Sequence, residues 1–187
     1  MIFDTWPCLE NETVLLKKMT ESDRPGLEQM LADEDIYRYE PTFLPELTSE
    51  SCRDFITRDC DRLFREKSAL LLGIYPKEEP DRFMGIAELY GYSPVREKIS
   101  IGYRLRKEYW HKGYATSVVS LLKDYILNDL QLIRITAHVR IENPASERCL
   151  LKNGFVQRRA PHEEDWGFEK PVIANKYVIY PAEENQV

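Results

Sequence analysis

Two segments in the second half of the chain alternate apolar and polar residues with the period of two that is typical of a half-buried β-strand. The first covers residues 99–105 and the second covers residues 133–140. Between them, residues 118–126 carry apolar side chains at helical spacing, and a further short helical segment ends near residue 153. The order strand, turn, helix, strand, helix predicts a unit that presents backbone N–H groups at the start of its first helix.

The first half of the chain predicts strands at residues 13–17, 69–75 and 83–92. Two helices fall between the first two strands. Pro25 stands just inside the start of one helix, and a hydroxyl side chain at position 48 or 49 caps the other. Consecutive strands that are joined by short turns favour antiparallel pairing. The chain is therefore predicted to be an α/β protein with a mixed sheet that is flanked by helices.

Length and charge narrow the class of protein. The 187 residues predict a single domain over positions 1–187, whose residues 159–187 comprise a polar loop at 160–171, a last strand at 176–180 and a tail. The net charge of −6 disfavours nucleic-acid binding, which needs a basic face. It suits a partner that carries an amine.

The cysteines and histidines show no metal-binding or disulfide pattern. None of the four cysteines forms a C-x-x-C pair, and the three histidines are scattered along the sequence. The first residues lack the cationic and apolar regions of a signal peptide, and the apolar run at 69–75 is too short to cross a bilayer. We expect a cytoplasmic protein with reduced thiols, no metal and no membrane partner.

The turn at residues 110–116 is a candidate anion site. Gly113 has no side chain to block the backbone, Thr116 adds a hydroxyl, and His111 and Lys112 add positive charge. The free N–H groups and the dipole of the following helix favour a diphosphate there. A glycine that merely eases the start of a helix explains the same spacing. The chain has neither the three glycines of a Rossmann fingerprint nor the Gly-Lys-Ser/Thr of a Walker loop.

These residues carry a resemblance to a known family. Residues 109–116 (YWHKGYAT), preceded by 101–105 (IGYRL), resemble the acetyl-CoA-binding motif of the GNAT superfamily of N-acetyltransferases, most closely the Rim-type branch that acetylates ribosomal-protein N-termini. Asn143-Pro144-Ala145-Ser146, followed by residues 153–155 (NGF), is similar to the second signature of that family. The likeness covers most of the chain, with a motif-bearing core at about 13–158. It implies a central, mostly antiparallel sheet with one splayed parallel pair.

The resemblance also implies roles for individual residues. Leu105 would hold the pantetheine arm through its backbone, Asn143 would bond the pantetheine amide, and Ser146 would lie near the thioester sulfur. The cradle for the pyrophosphate of acetyl-CoA would consist of Trp110, His111, Lys112, Gly113, Tyr114, Ala115 and Thr116. Replacement of Gly113 by valine is then expected to weaken CoA binding with little loss of fold.

The proton donor departs from the family pattern. Many members place a tyrosine on the helix after Asn143, and this chain has Leu150 there with Cys149 beside it. Ser146 can donate a hydrogen bond to the sulfur as charge develops, so we assign it a catalytic role. The alternative is that Ser146 only satisfies backbone N–H groups at the helix start.

Two acids are candidates for contacts with the acceptor amine. Glu88 stands among apolar residues of the predicted strand 83–92, where relatives often keep an acid, and is the proposed general base. A carboxylate on the surface at a sheet edge is the alternative. Glu40, in a proline-rich acidic loop, is the candidate for binding a cationic acceptor.

The predicted function is acetyl transfer from acetyl-CoA to a primary amine, either a peptide N-terminus or a small amine, by direct attack in a ternary complex. The alternatives are a GNAT-fold module that binds CoA without turnover and an unrelated phosphate-binding α/β protein. The identity of the amine, and whether the chain acts as a monomer or homodimer, stay open from sequence.

Overall fold

The computed structural model describes residues 3–39 and 48–181. It contains strands β1 (Leu9–Glu10), β2 (Val14–Lys17), β3 (Ala69–Pro76), β4 (Gly85–Ser93), β5 (Lys98–Leu105), β6 (Arg134–Arg140), β7 (Val156–Glu164) and β8 (Val172–Ile179), and helices α1 (Arg24–Leu31), α2 (Glu34–Tyr37), α3 (Ser49–Asp54), α4 (Cys60–Arg65), α5 (Tyr114–Asp124) and α6 (Pro144–Lys152). One turn of π-helix joins α3 to α4, and another extends the end of α5.

The eight strands form one sheet in the order β1-β2-β3-β4-β5-β6-β8-β7. Strands β3, β4 and β5 pair antiparallel as predicted, and β5 and β6 run parallel. The mixed sheet flanked by helices confirms the predicted fold class. No helix in the described parts of the chain has both the length and the apolar character that crossing a membrane requires.

Both faces of the sheet bury apolar side chains because the residues of β3 alternate between two clusters. Leu70 and Leu72 join Val119 of α5 in one cluster. Leu71 and Tyr75 point to the opposite face, where they join a cluster that contains residues of α1, α3 and α4. Helices therefore cover β3 on both sides, and such double burial produces the nearly continuous apolar run of this strand.

The parallel pair β5–β6 opens along its length. The two strands pair at Lys98–Ser100 with Arg134–Thr136, where the buried hydroxyls of Ser100 and Thr136 lie 2.7 Å apart. Past Ser100 and Thr136, the described residues of β5 and β6 share no further register pair, although β5 continues to Leu105 and β6 to Arg140. A gap therefore opens between the ends of the two strands.

The end of the chain differs from the prediction. Residues 156–164 form the edge strand β7, so the predicted loop at 160–171 is wrong in its first half, and β8 begins at Val172 rather than at 176. The register of β7 shifts between Arg159 and His162, around Pro161. An edge strand tolerates a proline and exposes both faces, so it lacks the apolar alternation that would have revealed it.

Candidate active site

A cavity of about 620 Å³ opens where β5 and β6 diverge. Its walls contain most of the residues that the sequence proposes for the cofactor: Leu105, Trp110, His111, Gly113, Tyr114, Ala115, Thr116, Asn143 and Ser146. Lys112 does not line this cavity, and its ammonium nitrogen lies 5.9 Å from the centre of the Tyr109 ring. Glu40 falls outside the described residues.

The start of α5 is open to an anion. Gly113 is its N-cap and has a φ of 86°, and no side chain caps this helix end within the described part of the chain. The N–H groups of the first helical turn have no acceptor inside the helix, so they present partial positive charge to the cavity. A Cβ built on Gly113 would meet no atom within 4 Å, so the space beside the tip is empty of protein.

The start of α6 is organised differently. The side chain of Asn143 caps it, and its Oδ1 accepts the N–H of Ser146 at 3.2 Å. This bond occupies the oxygen of the Asn143 amide in the cap, which leaves the Nδ2 donors for a ligand in the cavity. Two helices thus begin at one cavity. No side chain of the described residues caps α5, and α6 is capped by Asn143, which itself lines the site.

The end of β5 is anchored by Trp110. The indole Nε1–H of Trp110 donates to the carbonyl oxygen of Leu105 at 2.7 Å. The N–H of Arg106 donates to Met84 on the β4 side, so by the alternation of an antiparallel pair the backbone groups of Leu105 face the gap instead. The carbonyl of Leu105 is therefore already used, and its N–H is the group that remains for a bound arm. The proposed role of Leu105 stays a prediction.

Tyr103 supplies a hydroxyl that the sequence did not assign to the site. Its Oη lies 3.0 Å from Oγ of Ser146, across 43 positions of sequence, and both residues line the cavity. Burial raises the pKa of Tyr103, so the phenol keeps its proton at neutral pH. Burial also raises the pKa of the neighbouring Cys149 thiol. The site therefore holds two protonated hydroxyls beside a thiol that is a poor nucleophile.

Glu88 is buried on a central strand of the sheet. The alternative prediction, that it is a surface carboxylate at a sheet edge, is therefore wrong. It faces Gly102 across the β4–β5 ladder and forms an ion pair with Arg104, and the side-chain exposures are 1% for Glu88 and 3% for Arg104. Among the described residues Arg104 lines the cavity and Glu88 does not. Glu88 reaches the site through Arg104, and its role as a base stays a prediction.

The cavity has a second, aromatic side away from α5. Tyr90 and Trp166, which the sequence motifs do not place at the site, line it together with Ile36 of α2. Arg140, at the end of β6, donates to the backbone carbonyl of Arg38 at 3.0 Å and so ties that strand to the segment after α2. This side offers apolar and aromatic surface for a second ligand beside the gap between the strands.

Comparisons with known proteins identify the family and the fold. A family model described as the acetyltransferase (GNAT) domain matches residues 13–156. The chain is 26% identical over 174 residues to a protein named uncharacterized N-acetyltransferase YoaA, from Bacillus subtilis (strain 168), and the match covers 93% of this chain and 97% of that relative.

Solved structures share the fold. RimJ of Mycobacterium smegmatis, in complex with CoA-disulfide, matches with a TM-score of 0.81 and 21% identity, over 99% of this chain and 91% of that chain. The spermidine N-acetyltransferase of Vibrio cholerae, in complex with CoA and spermine, matches with a TM-score of 0.74 and 19% identity, over 91% of this chain and 96% of that chain.

Proposed function

This chain belongs to the acetyltransferase (GNAT) family and is an acetyl-CoA-dependent N-acetyltransferase, and from that premise we propose that it transfers the acetyl group directly to a primary amine, either a peptide N-terminus or a small amine, in a ternary complex. The observation that carries the proposal is that one cavity is lined both by an open helix start and by a pair of hydroxyl groups. Its walls include the start of α5, which no side chain of the described residues caps, and the hydroxyls of Tyr103 and Ser146.

The coenzyme binds along this cavity. The backbone N–H groups at the start of α5 hold its pyrophosphate, and Asn143 donates from Nδ2 to an amide of the pantetheine arm. The gap between β5 and β6 receives the arm as an additional strand beside the free edge of β5, since the N–H of Leu105 faces that gap. This arrangement directs the thioester toward Ser146 and Tyr103.

The hydroxyl pair protonates the departing sulfur. Tyr103 is the proton donor and Ser146 relays or orients the proton, because the two hydroxyl oxygens are within hydrogen-bond distance and both side chains line the cavity. Tyr103 thus takes the place of the tyrosine that Leu150 replaces on α6. The raised pKa of the Cys149 thiol argues against a covalent acetyl carrier and supports direct attack by the amine.

The decisive experiment is a mass-detected screen. The protein is incubated with acetyl-CoA and a panel of amines that includes short peptides, polyamines and lysine-type amines, and thiol release is followed in parallel. We expect an acetylated product and equimolar free CoA with at least one amine. Binding of CoA without thiol release for any amine would instead identify a non-catalytic CoA-binding module.

Coenzyme binding is expected to stabilise the fold. At a CoA concentration about 100 times its Kd, linkage predicts a gain of about 2.7 kcal/mol in the free energy of unfolding. For a chain of this size this corresponds to a rise in Tm of about 5–10 °C. Thermal melts with and without CoA measure it. An unchanged Tm at millimolar CoA would contradict the proposed binding of the coenzyme in this cavity.

Replacement of Tyr103 by phenylalanine is expected to lower kcat about 100-fold with little change in CoA affinity, because it removes the donor to the thiolate and keeps the ring. Initial rates and calorimetric titration with CoA measure the two quantities. Tyr125→Phe is the matched control, because Tyr125 is also half-buried but does not line the cavity. Equal rates for both variants would contradict the role of Tyr103.

A further inference from the structure

A polar cluster lies on the side of the cavity that faces away from α5, and the roles assigned so far do not use it. Nδ1 of His138, on β6, lies 2.7 Å and 2.9 Å from the two carboxylate oxygens of Glu164 at the end of β7. The indole N–H of Trp166 donates to the same carboxylate at 2.7 Å, and Nε2 of His162 lies 2.7 Å from it. Of these residues, His138 and Trp166 line the cavity.

The contacts determine which nitrogen of His138 carries the proton. An ionised carboxylate only accepts hydrogen bonds, so Nδ1 of His138 is the protonated nitrogen. In a neutral imidazole the other nitrogen, Nε2, then carries a lone pair. Burial lowers the pKa of His138 below its ordinary value, and the opposing effect of Glu164 does not reverse this shift. At neutral pH the ring is therefore a base with one fixed tautomer.

Glu164 is suited to hold this ring. Burial alone would raise the pKa of Glu164, but the hydrogen bond from Trp166 and the interaction with His138 bring it below its ordinary value. The carboxylate therefore stays charged, and its side chain is only 17% exposed. An imidazole whose Nδ1–H is held by a buried carboxylate has the orientation that general-base catalysis requires.

We propose that His138 is the general base of the acetyl transfer and that Glu164 positions it. This inference rests on the proposed function. Nε2 of His138 takes one proton from the acceptor ammonium. The neutral nitrogen attacks the thioester carbonyl carbon, the N–C bond forms and the C–S bond breaks. The hydroxyl pair of Tyr103 and Ser146 protonates the sulfur and recovers a proton from the nitrogen as it becomes an amide. The proton on His138 leaves to water.

The base assignment gives Glu88 a different task. The Glu88 carboxylate is committed to Arg104, and it does not line the cavity. His138 on β6 and Tyr103 on β5 both line the cavity that opens between these two strands. Acid and base then approach the reacting carbonyl from the two strands that diverge.

The pH dependence of the rate reports on this base. Among the described residues, Glu164 and His162 from β7 and Lys176 directly across on β8 act on His138, and Arg104 of β5 and Arg140 of β6 line the same cavity. Only neutral His138 accepts a proton, so kcat/KM should rise with pH through an acidic limb and then level off with respect to this group. Because the pKa of His138 is lowered, the midpoint of this rise should lie below the ordinary pKa of histidine.

The test uses the full chain, acetyl-CoA and the best amine of the screen. His138→Gln is expected to lower kcat/KM about 100-fold or more and to abolish the acidic limb. Glu164→Gln is expected to lower kcat about 10-fold and to displace the limb, with KM and CoA affinity unchanged. His162→Gln is the matched control, since it contacts the same carboxylate without lining the cavity, and should change kcat/KM less than 3-fold.

The outcomes separate the two proposals. If the wild-type chain turns over, and folded His138→Gln keeps the same rate and the same acidic limb of the pH profile, the base assignment alone is overturned. Loss of the limb in Glu88→Gln, with the limb retained in His138→Gln, would assign the base to Glu88 instead. Absence of turnover by the wild-type chain with bound acetyl-CoA would overturn the proposed function and the base together. Thermal melts of each variant confirm that folded protein is compared.

Discussion

Replacement of Gly113 by valine is expected to weaken the binding of CoA at least about 100-fold, which corresponds to about 2.7 kcal/mol of binding free energy. The tip of α5 is empty of protein beside Gly113, and that space is where the pyrophosphate lies in the proposed complex. A branched side chain would occupy this space and keep phosphate oxygens from the backbone N–H groups. Calorimetric titration with CoA measures the loss.

The same substitution also strains the backbone. The φ of 86° at Gly113 lies in the left-handed region, where a β-branched residue costs about 1–2 kcal/mol. We therefore expect a fall in Tm of about 3–6 °C, so the expectation of little loss of fold needs correction. Strain and obstruction must be separated before the affinity is interpreted.

Gly154→Val provides that separation. Gly154 has the same φ of 86° and follows the far end of α6, where an added Cβ would meet only the tip of Ile179 at 3.5 Å. This control should lose a comparable amount of stability and keep its affinity for CoA. Equal affinities in Gly113→Val and the wild-type chain would contradict the location of the phosphates.

Replacement of Glu88 by glutamine is expected to destabilise the fold by about 3–5 kcal/mol, because it removes one charge of a buried ion pair. The side chain of Arg104 is only 3% exposed, so water cannot replace the lost carboxylate without a local rearrangement. For a chain of this length the Tm should fall by on the order of 10 °C. Denaturant unfolding of the variant measures the free energy directly.

The double variant Glu88→Leu with Arg104→Met is the control for that prediction. Removal of both charges together avoids a lone buried charge, and such exchanges are often neutral or stabilising. We expect it to recover most of the lost free energy of unfolding. A Glu88→Gln variant as stable as the wild-type chain would show that this ion pair does not contribute to the free energy of unfolding.

Activity distinguishes the possible roles of Glu88. If it only holds Arg104, folded Glu88→Gln at low temperature should keep the acidic limb of the pH profile. If it is the base, as its place in the strand suggested, that limb should disappear. The measurement therefore tests the earlier prediction and the assignment of His138 in the same experiment.

The turn between β5 and α5 illustrates what local sequence predicts well. Gly113 and the residues after it were expected to start a helix, and α5 begins at Tyr114 with Gly113 as its N-cap. Helix starts depend on interactions within a few positions, so a short window of sequence contains the needed information. Strands β3 and β5 were found for a similar reason, since β3 is a nearly continuous apolar run and the apolar positions of β5 alternate along the strand itself.

Strand β7 shows where the pattern fails. Its described residues are mostly exposed, and Pro161 interrupts the run. The strand exists because its backbone pairs with β8, and on an exposed edge strand that pairing does not require an alternation of apolar side chains. The segment that contains the polar residues His162 and Glu164 was therefore predicted to be a loop.

Periodicity, turn residues and the two motifs were sufficient to identify strands β2 to β6, the helix that faces the coenzyme and the family, because each depends on neighbouring residues. The chemistry required contacts between distant segments. Tyr103 meets Ser146 across 43 positions, and His138 meets Glu164 across 26. Such partners are chosen by strand register and by the gap between β5 and β6, which arise from the whole sheet and not from any short stretch of sequence.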